Sequence, residues 1–127
     1  MKVLVLVVDD EPDVESLFRQ QFRHELRAGQ FAMIFALSAM DALQCLHETS
    51  NAPLILILSD INMPGMSGLE LLRHIKEKHK LPPPMVMMIT AYGDAENYNT
   101  AMKLGADDFL TKPLEFSLLK EKLKAIH

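Results

Sequence analysis

Two hydrophobic rhythms alternate along the chain. Short continuous apolar runs, Val3-Leu-Val-Leu-Val-Val8, Leu54-Ile-Leu-Ile-Leu58 and Met85-Val-Met-Met-Ile89, suit strands covered on both faces of a sheet. Phe31 to Ala36 reads as a less regular strand and Phe109-Leu-Thr111 as a short fifth one. Between them the apolar positions recur three and four residues apart, the spacing of one buried helix face. Val14, Leu17, Phe18, Phe22 and Leu26 predict a first helix ending near Gly29, and Ala39, Ala42, Leu43 and Leu46 a second. Leu69, Leu72 and Ile75 predict a third, with Glu70, Lys76, Glu77 and Lys78 turned outward. A thin stripe of Ala95, Tyr98, Ala101 and Met102 predicts a fourth, shallowly packed helix ending near Leu104; Phe116, Leu119, Leu123 and Ile126 line a fifth.

Punctuation agrees with these elements. Pro12 fits a first helical turn, while Ser38 and Ser67 are N-cap candidates. Pro82, Pro83 and Pro84 close the third helix, and Gly105 fits the left-handed position after the fourth. Asp107 and Asp108 are expected to be solvated turn residues. Five strands and five helices in alternation, in units of roughly 25 residues, call for a parallel sheet with right-handed crossovers, an α/β fold.

Composition narrows the class. A chain of 127 residues with 49% hydrophobic and 24% charged residues forms one globular domain, expected over residues 1–127. The net charge of -4, without a Lys/Arg block, argues against a nucleic-acid binder. Its one cysteine, Cys45, excludes a disulfide framework and a multi-cysteine metal site. Val3 to Val8 is too short to span a membrane, and acids follow at once, so a cytoplasmic location is expected.

The chemistry gathers at strand ends. In a parallel sheet the C-terminal ends of strands one, three, four and five share an edge, where open α/β sheets place their ligands. Those ends carry Asp9 and Asp10, Asp60, Thr90, and Lys112. One acid would cap the first helix; two adjacent acids after a buried strand repel, and a bound cation offsets that repulsion. Three carboxylates suit a hard divalent ion such as Mg²⁺. Beside them, an amine and a hydroxyl match the oxygens of a transferred phosphoryl group, and a carboxylate can be the nucleophile.

The motifs Val-Val-Asp9-Asp10-Glu11-Pro, Asp60-Ile-Asn-Met-Pro-Gly-Met-Ser-Gly68, Ile-Thr90-Ala91 and Leu-Thr-Lys112-Pro113 follow in order over essentially the whole chain. In this the chain resembles the response-regulator receiver domains of two-component signalling. The resemblance implies a flavodoxin-like (βα)5 fold with strand order 2-1-3-4-5 and helices on both faces. It implies that Asp60 is the phosphoacceptor for a phosphohistidine on a sensor histidine kinase or histidine phosphotransfer protein. Asp10, Asp60 and the backbone carbonyl of Asn62 would bind Mg²⁺, with Asp9 acting through water. Thr90, Ala91 and Lys112 would contact the phosphoryl group. Thr90 and Phe109 would form the switch, although many members have Tyr where Phe109 stands. Asn62 and Tyr92 would tune dephosphorylation. The output surface would be the fourth helix, fifth strand and fifth helix, meeting an effector domain or a dimer partner.

Such a domain catalyses its own phosphorylation and dephosphorylation and is not a turnover enzyme. A haloacid-dehalogenase-type phosphatase, the rival enzyme reading, wants Asp-x-Asp after the first strand, and Asp9-Asp10-Glu11 departs from it. A receiver-fold interaction module signalling without phosphorylation is the remaining alternative.

Overall fold

The computed structural model describes residues 3–48, 55–78, 85–90 and 95–126. Five strands, β1 (Val3–Val8), β2 (Phe31–Ala36), β3 (Ile55–Asp60), β4 (Met85–Thr90) and β5 (Asp108–Thr111), form one sheet in the order β2-β1-β3-β4-β5. Every neighbouring pair is parallel. The helices are α1 (Asp13–Gln21), α2 (Arg23–Arg27), α3 (Ala39–Glu48), α4 (Gly68–Lys78), α5 (Ala95–Lys103) and α6 (Phe116–Ile126). The expected α/β class and strand order are thus the observed ones.

Alternate side chains of the buried strands feed two cores, one on each face of the sheet. Val5, Val7, Leu56, Leu58, Met87 and Ile89 join Phe18, Phe22, Leu119 and Leu123 on one face. Leu6, Val8, Ile57, Val86 and Met88 join Ala42, Leu46, Leu71, Leu72, Ile75 and Ala101 on the other. The methionines of β2 and β4 are core filler, as their soft side chains suit. Cys45 is half-buried and packs against the second core.

Several sequence expectations need correction. The first helix divides at Phe22, whose φ of -103° and ψ of 19° bend the chain between α1 and α2. Helical hydrogen bonds still run from Phe22 N–H to Phe18 and from Leu26 N–H to Phe22. The bend accompanies complete burial of the Phe22 ring, which stacks on Phe18 and meets Phe31 and Phe116 edge-on. Leu17, expected inside, is 43% exposed, because Val14, Phe18 and Phe22 at four-residue steps already fill the inward line. In α4 Leu72 and Ile75 are buried as expected, Leu71 is buried with them, and Leu69 is only half-buried. On α5 only Ala101 of the predicted stripe is seen buried; Tyr98 and Met102 lie exposed, and the side chain of Ala95 is outside the described residues.

Asp107 and Asp108 are not merely solvated. Asp107 Oδ2 accepts the Val86 N–H at 2.8 Å and pairs with Lys76 of α4 at 3.0 Å, tying the start of β4 to the turn before β5. Lys76, expected outward, is drawn to that pair. Asp108 accepts the N–H of Phe109 and pairs with Lys122 of α6. The caps hold: Ser38 and Ser67 hydroxyls accept the N–H groups of Asp41 and Glu70 at 3.1 and 3.2 Å. Gly105 has φ +97°, as its place after α5 requires. Leu54 and the turn prolines Pro82, Pro83 and Pro84 lie outside the described residues.

Among the glycines of the described residues, Gly68 has the least room for a side chain. Its N–H donates to the Ile61 carbonyl at 2.8 Å, and a Cβ on it would lie 2.0 Å from the Asp60 carbonyl oxygen. A side chain there would push α4 off the end of β3. Gly68→Ala is therefore expected to destabilise the fold by about 1–3 kcal/mol through overpacking, read as a lower urea midpoint at an unchanged slope.

Candidate functional site

The parallel ladders set the heights at which the strands end. Val8 stands beside Ser59 and Asp60 beside Ile89, so Asp9, Asp60 and Thr90 emerge within a residue of one another. Thr90 pairs with Thr111, which puts Lys112 at the same rim, and the Lys112 N–H donates to the Thr90 carbonyl at 2.8 Å.

Carboxylate oxygens of Asp9, Asp10 and Asp60 lie within 4.8 Å of one another. Asp9 and Asp60 are buried and Asp10 is the most open of the three. The Lys112 ammonium reaches in from β5, with Nζ 3.0 Å from Asp60 Oδ2 and 3.6 Å from Asp9 Oδ2. Asp9 also accepts the Glu11 N–H through Oδ1 at 3.0 Å, so it caps the turn into α1 as well as facing the cluster.

These contacts leave the charges unequal. Burial pushes the Asp9 carboxyl above its ordinary pKa; the Glu11 N–H and Lys112 oppose this, and Asp60 and Glu11 add to it. Burial acts against the charged form of Lys112, but its hydrogen bond to Asp60 and attraction to Asp60, Asp9 and Glu11 outweigh burial and hold its pKa up. Three clustered acids and one amine make a net negative, partly dry site, and the all-oxygen donor set fits a hard divalent cation.

Thr90 is fully buried, and its Oγ1 has no hydrogen-bond partner among the described residues. A buried hydroxyl without a partner costs free energy. Asn62 is exposed in the loop after β3, flanked by buried Ile61 and Met63. Ala91 and Tyr92 lie outside the described residues. Phe109 on β5 is half-buried against the second core and meets the ring of Tyr98 edge-on at 5.0 Å.

The family model of the response regulator receiver domain matches residues 5–124. The chain belongs to the response regulator receiver domain family. It is 37% identical over 116 residues to the response regulator protein PilR of Pseudomonas aeruginosa, covering 91% of this chain and 24% of that protein. It is 30% identical to the chemotaxis protein CheY homolog of Campylobacter jejuni, covering 96% of this chain and 90% of that one. A response regulator receiver protein structure from Pseudomonas putida superposes with a TM-score of 0.84 at 26% identity, covering 98% of both chains. The chain spans between about a quarter and half the length of the first curated relatives it matches.

The strand ends that the sequence pattern placed on one edge do meet: Asp9, Asp10, Asp60, Thr90 and Lys112 share one rim. That pattern gave no separate role to Gly68, or to Ser59, a polar residue closing an apolar strand. It also missed Tyr98 as the neighbour of Phe109, because helix phase against a strand is set by packing and not by local spacing.

The raised Asp9 pKa has a consequence for stability. The folded state holds this proton more tightly than the unfolded chain does, so the stability linked to it is present at low pH and is lost as pH rises through the folded-state value. At neutral pH the charged carboxylate therefore opposes folding. Asp9→Asn, which can keep the bond from Glu11, is expected to raise the thermal midpoint in chelator, as a thermal scan of both chains would read. In the same scans Mg²⁺ should stabilise the native chain more than the variant.

Proposed function

We propose that the domain takes a phosphoryl group onto the Asp60 carboxylate from a phosphohistidine of a sensor kinase or phosphotransfer protein, in a Mg²⁺-dependent reaction. The observation that carries this reading is the cluster itself: three carboxylates within 4.8 Å of one another, with the Lys112 amine 3.0 Å from Asp60. Asp10, Asp60 and the Asn62 carbonyl would hold the ion directly and Asp9 through water. When bound, the ion supplies positive charge that neutralises phosphoryl oxygens.

The protein's own part is positioning. Asp60, at the end of a buried strand, presents an oxygen for in-line attack on phosphorus; the new O–P bond forms as the P–N bond to the donor imidazole breaks. Lys112 exchanges its Asp60 partner for a phosphoryl oxygen, and the Thr90 hydroxyl gains the acceptor it lacks. Ala91 leaves room beside the group, while Asn62 and Tyr92 govern access of water to the acylphosphate.

Output follows from movement of Thr90. As its hydroxyl turns toward the phosphoryl group, the chain leading into α5 shifts and the population of α5 positions changes. Support comes from the thin attachment of α5 and from the edge-on contact of Phe109 with Tyr98. Tyr98, Met102 and Leu118, between 41% and 46% exposed, sit on α5 and α6, the elements beside β5 where an effector domain or second protomer would dock. Among the described residues no helix is long and apolar enough to cross a membrane, and the reading is of a cytoplasmic signalling domain.

Intact mass after incubation with acetyl phosphate tests the reaction. The native chain should gain one phosphoryl mass, about 80 Da, only with Mg²⁺, and lose it in base; Asp60→Asn should gain none. No gain by the native chain would leave a receiver-fold interaction module that signals without phosphorylation.

A further inference from the structure

A buried hydroxyl stands directly before the acceptor. Ser59 is 1% exposed, and its Oγ–H donates to the backbone carbonyl of Asp60 at 3.0 Å. That carbonyl lies beyond the last β1–β3 pair, Val8 beside Ser59, so it stands where the ladder with β1 has ended. Gly68 closes in on the same oxygen: a Cβ there would meet it at 2.0 Å. The peptide between Asp60 and Ile61 is held at its other end too, because the Ile61 N–H donates to the Ile89 carbonyl at 3.0 Å.

Rotation about the Cα–C bond of Asp60 changes the angle between its side chain and this peptide, so a peptide anchored at both the Asp60 carbonyl and the Ile61 N–H limits how the carboxylate can turn as the strand ends. Ile57, two residues earlier on the same side of β3, is apolar and wholly buried, so a hydroxyl at Ser59 is costly there unless it is bonded. We infer that Ser59 is a positioning residue for phosphoryl transfer: its hydroxyl fixes the peptide after Asp60 and thereby the direction in which Asp60 presents its carboxylate. The inference rests on the reading of Asp60 as phosphoacceptor.

Two variants of the whole chain, Ser59→Ala and Ser59→Thr, test it. The time course of phosphorylation by acetyl phosphate at saturating Mg²⁺ is followed by intact mass at several donor concentrations, with urea unfolding in parallel. Ser59→Ala should unfold cooperatively and phosphorylate with a maximum rate about three- to tenfold below native, at a half-saturating donor concentration within about twofold of native. Ser59→Thr keeps a hydroxyl and should recover the native maximum to within about twofold. Native phosphorylation by Ser59→Ala would overturn the role of Ser59, as would a Thr variant as slow as the Ala variant, which would point to side-chain volume. A native chain that forms no adduct would overturn the reading of Asp60 first, and this inference with it.

Discussion

The constraint on which the site depends is electrostatic: Asp9, Asp10 and Asp60 crowd one strand-end rim, two of them buried, and Lys112 reaches them with a single positive charge. Like charges taken out of water are costly, and one amine does not neutralise three carboxylates. Burial, with the charge of Asp60 adding to it, holds the Asp9 pKa above its ordinary value. A domain keeps such an arrangement only where the rest of the fold over-determines it. Here the two apolar cores, filled from both faces of a parallel sheet, supply the stability that the rim gives up.

The same parallel sheet explains how residues far apart in sequence meet. Equal strand lengths and an unbroken register bring β1, β3 and β4 to an end at nearly one height, and β5 places Lys112 beside Thr90. The backbone around Asp60 is then locked from several sides, by Ser59, Gly68 and the Ile89 carbonyl. Rigidity near Asp60 contrasts with the light attachment of α5, whose described stripe buries Ala101 while Tyr98 rests on Phe109. On the proposed reading that contrast divides the labour: chemistry needs a fixed acceptor, and switching needs an element that moves at small cost.

Much of this was legible in the sequence because it rests on local signals. Continuous apolar runs ending in carboxylates marked the strands and the rim, and Ser38, Ser67 and Gly105 marked helix boundaries that the structure keeps. What escaped was set by tertiary contact. Nothing local in the run from Val14 to Leu26 announces a bend at Phe22, which accompanies the stacking of rings from α1, β2 and α6. Asp107 looked like a turn residue because its partners, Val86 and Lys76, lie 21 and 31 positions away. The strand order itself came from family resemblance, since hydrophobic periodicity is blind to which strands are neighbours.

The most direct test of the account is a crystal structure of the domain soaked with Mg²⁺ and beryllofluoride, a mimic of the phosphoryl group. The account predicts beryllium bonded to an Asp60 carboxylate oxygen, Lys112 Nζ moved from Asp60 onto a fluoride, and the now unpartnered Thr90 hydroxyl hydrogen-bonded to another. Beryllofluoride absent from Asp60 at saturating concentration, or bound there with Thr90 still buried and unpartnered, would contradict it.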